Sequence, residues 1–403
     1  MDLSFLPQFP FALSAPIMFG ALLATGLLAG EAANRYASLP RITGYVLAGV
    51  VLGPQLSGLL SREVLQALNV LIDLSVGLIV FELGFRFDWA WLKRNRWLLV
   101  TAVAESLFGF GAIFGALYYL GFAPALAAGA AAIGTATSPA VVMLVAHELR
   151  AEGQITERAL LFTAVNSVFA YVALTLVVPF LHLDLHQGWQ QALLRPPYIL
   201  GGSLLAGAAA CALMLVLARW LGKREDRQFV LLVAIVVLSV GVARSLNLSV
   251  MVALMTLGML ARNLDRRHVL MPLRLGYGGQ LFFVILFVLT GAGLEFGAWD
   301  TAASLVATLL VVRFLGKALA ILVFGRLSGV RTSGAGLLAI ALLPMSGLAV
   351  GMVRDTSELS PAFGHELGGI LLAAVAFTEL FGPLATQFAL RRAGEAHPGA
   401  QGG

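Results

Sequence analysis

The chain has 403 residues, of which 59% are hydrophobic and only 12% are charged, and its mean hydropathy is +0.91. Repeated apolar stretches of about 18 or more residues exclude an ordinary soluble domain and predict a polytopic membrane protein. The net charge of +5 does not indicate nucleic-acid binding, because the Lys and Arg residues lie in short loops between apolar stretches. Cys211 is the single cysteine, which excludes an internal disulfide and argues against a multi-cysteine metal cluster.

The apolar stretches predict about thirteen transmembrane helices, with boundaries good to a few residues. In chain order they lie near 15–34, 41–60, 64–86, 97–121, 123–146, 159–182, 198–219, 228–244, 247–262, 278–294, 302–325, 334–354 and 367–390. We therefore expect an all-α fold in which residues 1–403 form a single transmembrane domain. Residues 391–403 are few and Gly-rich, so a short cytoplasmic tail without a regulatory domain is expected there. The first residues, MDLSFLPQFPF, lack the basic region of a cleaved signal peptide and are expected to be the mature N-terminus.

The basic residues fall unequally on the two sides of the membrane when thirteen helices are threaded. Of the 26 Lys and Arg residues, twenty lie in loops on one side. Only four lie on the other side, namely Arg62, Arg195, Arg244 and Arg354. The positive-inside rule therefore predicts that the N-terminus lies outside and the C-terminus in the cytoplasm. The membrane is expected to be a bacterial inner membrane.

A polar break interrupts the fifth predicted helix at 134–142, where the sequence is GTATSPAVV. Pro139 lacks a backbone N–H and its ring clashes with the preceding turn, so the helix is expected to open there. Inside a membrane, freed carbonyl and hydroxyl groups persist only where they line a buried site or a water-filled cavity. The break therefore indicates a transport site, with Thr137 and Ser138 as candidate oxygen ligands.

A second break lies roughly 210 residues later, in LLPMSGLAVG at 342–351, and contains Pro344 and a serine. The two broken helices are seven positions apart in the predicted order, so they cross the membrane in opposite directions. This arrangement predicts inverted repeats over about 15–182 and 228–390, with the broken helices crossing near the midplane as in secondary transporters. The alternative is that Pro139 and Pro344 merely kink packed helices.

Two basic residues, Arg313 and Lys317, stand on one face of the eleventh predicted helix, where they repel each other unless carboxylates are near. The candidate partners are Asp73, Glu82, Glu105 and Glu379. At ~1.5 Å per residue, Glu105 lies about 12 Å from the cytoplasmic end of its helix. Roughly the same depth is reached by Lys317, Asn166 and Ser138. Glu105 is therefore the expected charge partner and proton carrier, and a purely structural ion pair is the alternative.

One face of the sixth predicted helix carries a polar stripe, formed by Thr163, Asn166, Ser167 and Tyr171. Such a stripe joins helices by hydrogen bonds in many membrane proteins. It can equally supply the neutral oxygen ligands that a desolvated alkali cation accepts.

No enzyme, cofactor or resident metal ion is expected. The sequence contains no HExxH metal site and no obvious Ser/His or paired-aspartate constellation. His182 and His186 have the spacing of a metal pair beside Asp184, but a solvated outer loop is the preferred interpretation.

Three stretches resemble the Kef-type branch of the monovalent cation:proton antiporters. They are LPRITGYVLAGVVLGP at 39–54, TATSPAVV at 135–142 and FFVILFVLTGAGLEFGAW at 282–299, and the resemblance spans about 15–390. It implies a homodimer of inverted-repeat subunits in which the fifth and twelfth helices cross where they unwind. It also implies that a core of helices four to six and eleven to thirteen moves as an elevator against a dimerisation panel.

The resemblance fails at one pair of residues on the sixth predicted helix. Relatives carry Asp-Asp, Asn-Asp or Gln-Asp there, and the second aspartate binds cation and proton alternately, whereas this chain carries Asn166 and Ser167. Serine does not titrate near neutral pH, so cation and proton cannot compete for a carboxylate at this position. Either Glu105 or another acid takes over the proton, or coupling is weak, or the substrate differs.

The sequence therefore predicts a secondary antiporter that exchanges Na⁺ or K⁺ for protons by alternating access across the lipid bilayer. Glu105 would carry the proton, and Arg313 or Lys317 would balance the charge when the site is empty. The cation would be bound by the oxygens of Thr137, Ser138, Asn166 and Ser167. Three alternatives stay open: an uncoupled cation channel or uniporter, an anion-coupled transporter, and a non-transporting sensor subunit.

Overall fold

The computed structural model describes residues 15–182, 189–222, 224–265, 276–294, 299–330 and 332–397. In these ranges the regular structure is helical apart from one isolated antiparallel bridge between Thr137 and Met345, which confirms the all-α prediction for this part of the chain. The helices are α1 Ala15–Ala37, α2 Arg41–Leu52, α3 Arg62–Phe85, α4 Trp89–Arg94, α5 Arg96–Tyr119, α6 Pro124–Thr135, α7 Pro139–Glu148, α8 Gln154–His182, α9 Trp189–Leu221, α10 Glu225–Ser245, α11 Val250–Leu264, α12 Gly276–Ala292, α13 Trp299–Phe324, α14 Thr332–Ala341, α15 Leu348–Leu359, α16 Pro361–Phe363 and α17 Gly369–Arg392. A 3₁₀ turn, Gly325–Ser328, follows α13, and a π turn, Gly364–Gly368, precedes α17.

Seven helical stretches in the described ranges are long and apolar enough to cross a membrane, as expected for a multi-pass protein. They lie in α1, α5, α8, α9, α10, α13 and the continuous stretch from α16 to α17. The fifth predicted helix is divided into α6 and α7, and the twelfth into α14 and α15.

Two helix boundaries differ most from the sequence-based prediction. α2 ends at Leu52 rather than near 60, because Gly53 is extended (φ −69°, ψ 171°) ahead of Pro54. α9 begins at Trp189, earlier than expected, and runs through Pro196 and Pro197. Prolines are tolerated in membrane helices where neighbouring groups satisfy the freed backbone.

Glycines let neighbouring helix backbones touch. A Cβ on Gly49 of α2 would lie 2.0 Å from the Val288 carbonyl oxygen of α12, so only glycine permits this approach. A Cβ on Gly316 of α13 would lie 2.7 Å from the Phe108 carbonyl oxygen of α5. The close α5–α13 contact brings the charged residues of these two helices together.

Candidate functional site

The first polar break separates α6 from α7. α6 ends at Thr135, the backbone of Ala136 and Ser138 is not helical, and α7 begins at Pro139. Proline at the first position of a helix loses no hydrogen bond, because that N–H has no partner within the helix. The Ser138 hydroxyl caps α7 by accepting a hydrogen bond from the Val141 N–H at 3.3 Å.

The second break, between α14 and α15, lies directly beside the first. The Ser138 N–H donates to the Pro344 carbonyl oxygen at 3.0 Å, and Thr137 and Met345 form the antiparallel bridge. Each break thus supplies backbone partners that the other has lost from its helix. The two breaks form one unit, to which side chains from α5, α8 and α13 are added.

The Arg313 guanidinium lies where the carbonyl ends of α6 and α14 meet. Its nitrogens donate to the carbonyl oxygens of Gly134, Ala136 and Leu343 at 2.7, 3.1 and 2.8 Å. The last carbonyls of a helix lack partners within the helix and carry the negative end of its dipole. Arg313, which is 1% exposed, therefore satisfies both broken ends with one positive charge.

One turn further along α13, Lys317 pairs with Glu105 of α5. Lys317 Nζ and Glu105 Oε1 are 2.8 Å apart, and the two residues are 1% and 0% exposed. Lys317 Nζ also donates to Thr137 Oγ1 at 3.0 Å. A buried ion pair offsets the cost of desolvation only through close geometry and additional hydrogen bonds, and both are present here.

Asn166 of α8 completes the surroundings of Glu105. Its Nδ2 donates to Glu105 Oε1 at 3.2 Å and to Thr137 Oγ1 at 3.0 Å. Its Oδ1 accepts a hydrogen bond from the Ser106 hydroxyl at 2.5 Å. Ser106 was not among the residues predicted from the sequence, because its contact depends on the approach of α8 and no local pattern marks it.

The Thr137 hydroxyl lies at the centre of the site, in contact with side chains from α8 and α13. Its oxygen lies within hydrogen-bonding distance of nitrogens from Asn166, Arg313 and Lys317, at 3.0, 3.3 and 3.0 Å. The Thr137 carbonyl oxygen accepts a hydrogen bond from the Ser167 hydroxyl at 3.1 Å. The arrangement holds an ammonium group between a carboxylate and a hydroxyl oxygen, next to unwound backbone.

A cavity of about 390 Å³ lies between α3 and α12 on one side and the two breaks, α15 and α17 on the other. Its buried part is lined by Ser138, Ser346 and Glu379, and Arg354 and Asp355 line its exposed part. The lining follows α15 for about two turns, or about 11 Å. We call this space the inter-helix cavity.

The residues predicted to bind the ion fall in two places. Thr137, Asn166 and Ser167 lie with Glu105, whereas Ser138 lines the inter-helix cavity. Of the other candidate carboxylates, Asp73 pairs with Arg244 in the lining of the inter-helix cavity, whereas Glu82 lies apart from both places and pairs with Arg86.

The predicted histidine pair cannot be placed, since His186 and Asp184 lie outside the described residues. Within the ranges that the structure describes, no group of three His, Cys, Asp or Glu side chains is arranged to hold a metal ion.

Residues 19–392 match the transmembrane region of the sodium/hydrogen exchanger family. The chain belongs to this family. This exchanger-family protein is therefore a multi-pass membrane protein of the cation:proton antiporter type, and its family is one of transporters rather than of enzymes.

The same fold is found in the sodium proton antiporter MjNhaP1 from Methanocaldococcus jannaschii. The structure of MjNhaP1 at pH 8 has a TM-score of 0.63 at 16% sequence identity, covering 94% of this chain and 95% of that chain. A three-dimensional electron-microscopy map of MjNhaP1 gives a TM-score of 0.67 at 16% identity, covering 99% and 100%. None of the curated proteins matches the sequence of this chain. At this identity the likeness to MjNhaP1 concerns the fold and not the residues of the site.

Proposed function

We propose that this exchanger-family protein is a secondary active antiporter of the Kef-type branch, which exchanges a monovalent cation, Na⁺ or K⁺, for protons. The observation that carries the proposal is the buried Lys317–Glu105 pair beside the two helix breaks. Ionisable side chains at membrane depth are costly and mark ion or proton pathways by default. Broken helices at the same place are typical of transport sites.

In the proposed mechanism, the Lys317 ammonium holds the place of a bound cation. Its Nζ contacts Glu105 Oε1 at 2.8 Å and Thr137 Oγ1 at 3.0 Å, and both oxygens are ligands that a dehydrated alkali cation accepts. Two unit positive charges about 4 Å apart repel by about 4 kcal/mol at an effective dielectric constant of about 20. A cation at Glu105 and a charged Lys317 therefore disfavour each other. Binding of the cation to the ionised Glu105 carboxylate displaces Lys317, and the proton that the pair holds leaves from the Lys317 ammonium.

The cation is proposed to pass from the inter-helix cavity to Glu105 across the first break. Ser138 lines the cavity, and Thr137 follows on the side of Glu105. Asn166 and Ser167 supply further neutral oxygens next to Thr137. Since Thr137 Oγ1 accepts hydrogen bonds from nitrogen donors in this conformation, the cation must displace Lys317 before it can bind there.

Alternating access is proposed to follow from movement of the breaks against α3 and α12. The inter-helix cavity separates these two groups of helices, and its exposed part carries Arg244 and Arg354. Threading of thirteen helices puts both arginines outside, so this conformation opens away from the cytoplasm. The proposal includes inverted repeats over about 15–182 and 228–390, which make the broken helices cross each other. It also includes a homodimer of two copies of the chain, located in a bacterial inner membrane.

Flux measurements on the purified protein in proteoliposomes test the proposal, with an imposed pH gradient and a fluorescent pH reporter. We expect Na⁺ or K⁺ to dissipate the gradient. Glu105→Gln should abolish proton-coupled exchange while the chain stays folded, because the amide oxygen still accepts hydrogen bonds from Lys317 and Asn166. Glu366→Gln, at an exposed position in the π turn, is the matched control and should exchange like the wild type. Exchange that persists in Glu105→Gln with an unchanged pH profile would remove Glu105 from the mechanism.

An uncoupled cation channel or uniporter is the second candidate function. It is favoured by Ser167, whose hydroxyl donates to the Thr137 carbonyl oxygen at 3.1 Å and cannot titrate. Cation flux that does not respond to the imposed pH gradient would support it. An anion-coupled transporter has less support, because the positive charges of Arg313 and Lys317 are already bound to carbonyl and carboxylate oxygens.

A further inference from the structure

Glu379 of α17 is a second buried carboxylate, and it lines the inter-helix cavity. It is 1% exposed, and its Oε2 has no hydrogen-bond partner among the described residues. α17 is held close to the second break at Gly382, where a Cβ would lie 2.9 Å from the Pro344 Cα. Because Gly382 lies about one turn beyond Glu379, this contact fixes the carboxylate beside the second break.

Gly347 keeps the space next to this carboxylate open. A Cβ on Gly347 would lie 3.3 Å from Glu379 Oε1 and 3.9 Å from Thr290 Oγ1. One oxygen from α17 and one from α12 therefore converge on the bare Cα of Gly347. Ser346 lines the same cavity, and its Oγ accepts a hydrogen bond from the Leu348 N–H at 3.3 Å.

Among the described residues that line the inter-helix cavity, Glu379 carries a charge that no opposite charge of the lining balances. At the exposed part, Asp73 pairs with Arg244, and Arg354 and Asp355 adjoin each other in α15, so that these four formal charges cancel. α7 and α15 both begin at the cavity wall, and the positive ends of their dipoles favour an ionised carboxylate. A single monovalent cation would neutralise this carboxylate.

We propose that Glu379, Thr290 and the backbone at Gly347 form a second monovalent-cation site, which receives the cation from the inter-helix cavity before it reaches Glu105. The place of this site in the transport cycle rests on the proposed function, whereas cation binding itself does not require exchange. Carboxylate, hydroxyl and carbonyl oxygens are the ligands that a desolvated alkali cation accepts. In the present conformation Lys317 holds Glu105, so Glu379 is the carboxylate in the buried part of the cavity lining that the structure describes.

Thermal unfolding of the purified full chain in detergent tests the site without any transport. NaCl, KCl and LiCl are compared with choline chloride at equal ionic strength, because an ion that binds the folded state raises the unfolding temperature. We expect at least one of the three salts to raise the unfolding temperature of the wild type and of Glu366→Gln above its value in choline chloride. Glu379→Gln should lose this rise. A rise that persists in Glu379→Gln, or a wild type that none of the salts stabilises, would overturn the site.

Flux in proteoliposomes then separates this site from the proposed function. If both are right, Glu379→Gln should raise the half-saturating cation concentration about tenfold or more, the effect of losing a charge-assisted contact. Gly347→Ala should act in the same direction by filling the space beside Glu379, while Gly336→Ala, whose added Cβ meets nothing within 4 Å, should not. Loss of the cation-dependent stabilisation in Glu379→Gln without any exchange by the wild type would keep the site and refute the antiporter. Exchange by the wild type with an unchanged half-saturating cation concentration in Glu379→Gln and Gly347→Ala would keep the antiporter and refute the second site.

Discussion

Glu105 and Glu379 are both buried at the helix breaks, and one oxygen of each carboxylate lacks a partner in the described part of the chain. The difference lies at the other oxygen. Glu105 Oε1 accepts hydrogen bonds from Lys317 and Asn166, which come from two other helices. Glu379 Oε1 instead faces the bare Cα of Gly347. Burial alone therefore does not decide whether a carboxylate is already paired or open to a substrate, because the neighbouring helices supply either donors or empty space.

Removal of the ammonium group next to Glu105 should have the largest effect on stability. Lys317→Met leaves the Glu105 carboxylate buried without its counter-charge, which should lower the free energy of unfolding by about 3–5 kcal/mol. Thermal unfolding of the purified protein in detergent measures the loss. The double variant Glu105→Gln with Lys317→Met should recover part of it, because no charge is then left unpaired.

Glu379→Gln is the matched variant for this comparison. Since the Glu379 carboxylate takes part in no ion pair among the described residues, its neutralisation should change the unfolding temperature little in choline chloride. A loss as large as that of Lys317→Met would show that both carboxylates are held by partners, and the contrast between them would fail.

Arg313→Lys should have the next-largest effect, because it removes donors from both breaks at once. The guanidinium reaches the carbonyl oxygens of Gly134, Ala136 and Leu343 with a rigid planar group, which a lysine cannot replace. A buried carbonyl left without a partner costs about 1–3 kcal/mol, so we expect the free energy of unfolding to fall by about 2 kcal/mol. Arg392→Lys, at an exposed position at the end of α17, is the control. If Arg392→Lys lowers the free energy of unfolding by as much as Arg313→Lys, the loss comes from replacing any arginine by lysine and not from the contacts of Arg313 with the helix breaks.

The positions of the helix breaks could be predicted from the sequence because each is encoded locally. Pro139 begins α7, and the Ser138 hydroxyl next to it caps the same helix. In the second break, Pro344 is followed closely by Ser346, whose hydroxyl accepts from the N–H at the start of α15. Proline and serine produce these effects within a few residues of chain, so no knowledge of the packing is needed.

The contacts of the buried acids could be predicted only in part. Four acids are candidate partners within apolar helices: Asp73 and Glu82 share α3, and Glu105 and Glu379 lie in α5 and α17. Helix depth favoured Glu105, but its contact with Lys317 depends on the close approach of α5 and α13 at Gly316. The roles of Ser106 and of the space beside Gly347 depend on α8 and α12, which lie far away in the sequence. Such contacts leave no local pattern.

Ser138→Ala should have the smallest effect on stability, and it separates helix capping from ion binding. The Ser138 hydroxyl accepts from the Val141 N–H at 3.3 Å, and the Ser61 hydroxyl caps α3 through the Val64 N–H at the same distance. Loss of such a cap costs about 1 kcal/mol, so Ser138→Ala and Ser61→Ala should lower the free energy of unfolding by similar amounts. Ser138 lines the inter-helix cavity, and its removal should also raise the half-saturating cation concentration about threefold, as expected for one neutral ligand oxygen. If flux measurements give the two variants the same half-saturating concentration, Ser138 is a helix cap and nothing more, and the cation must reach Glu105 without contacting the first break.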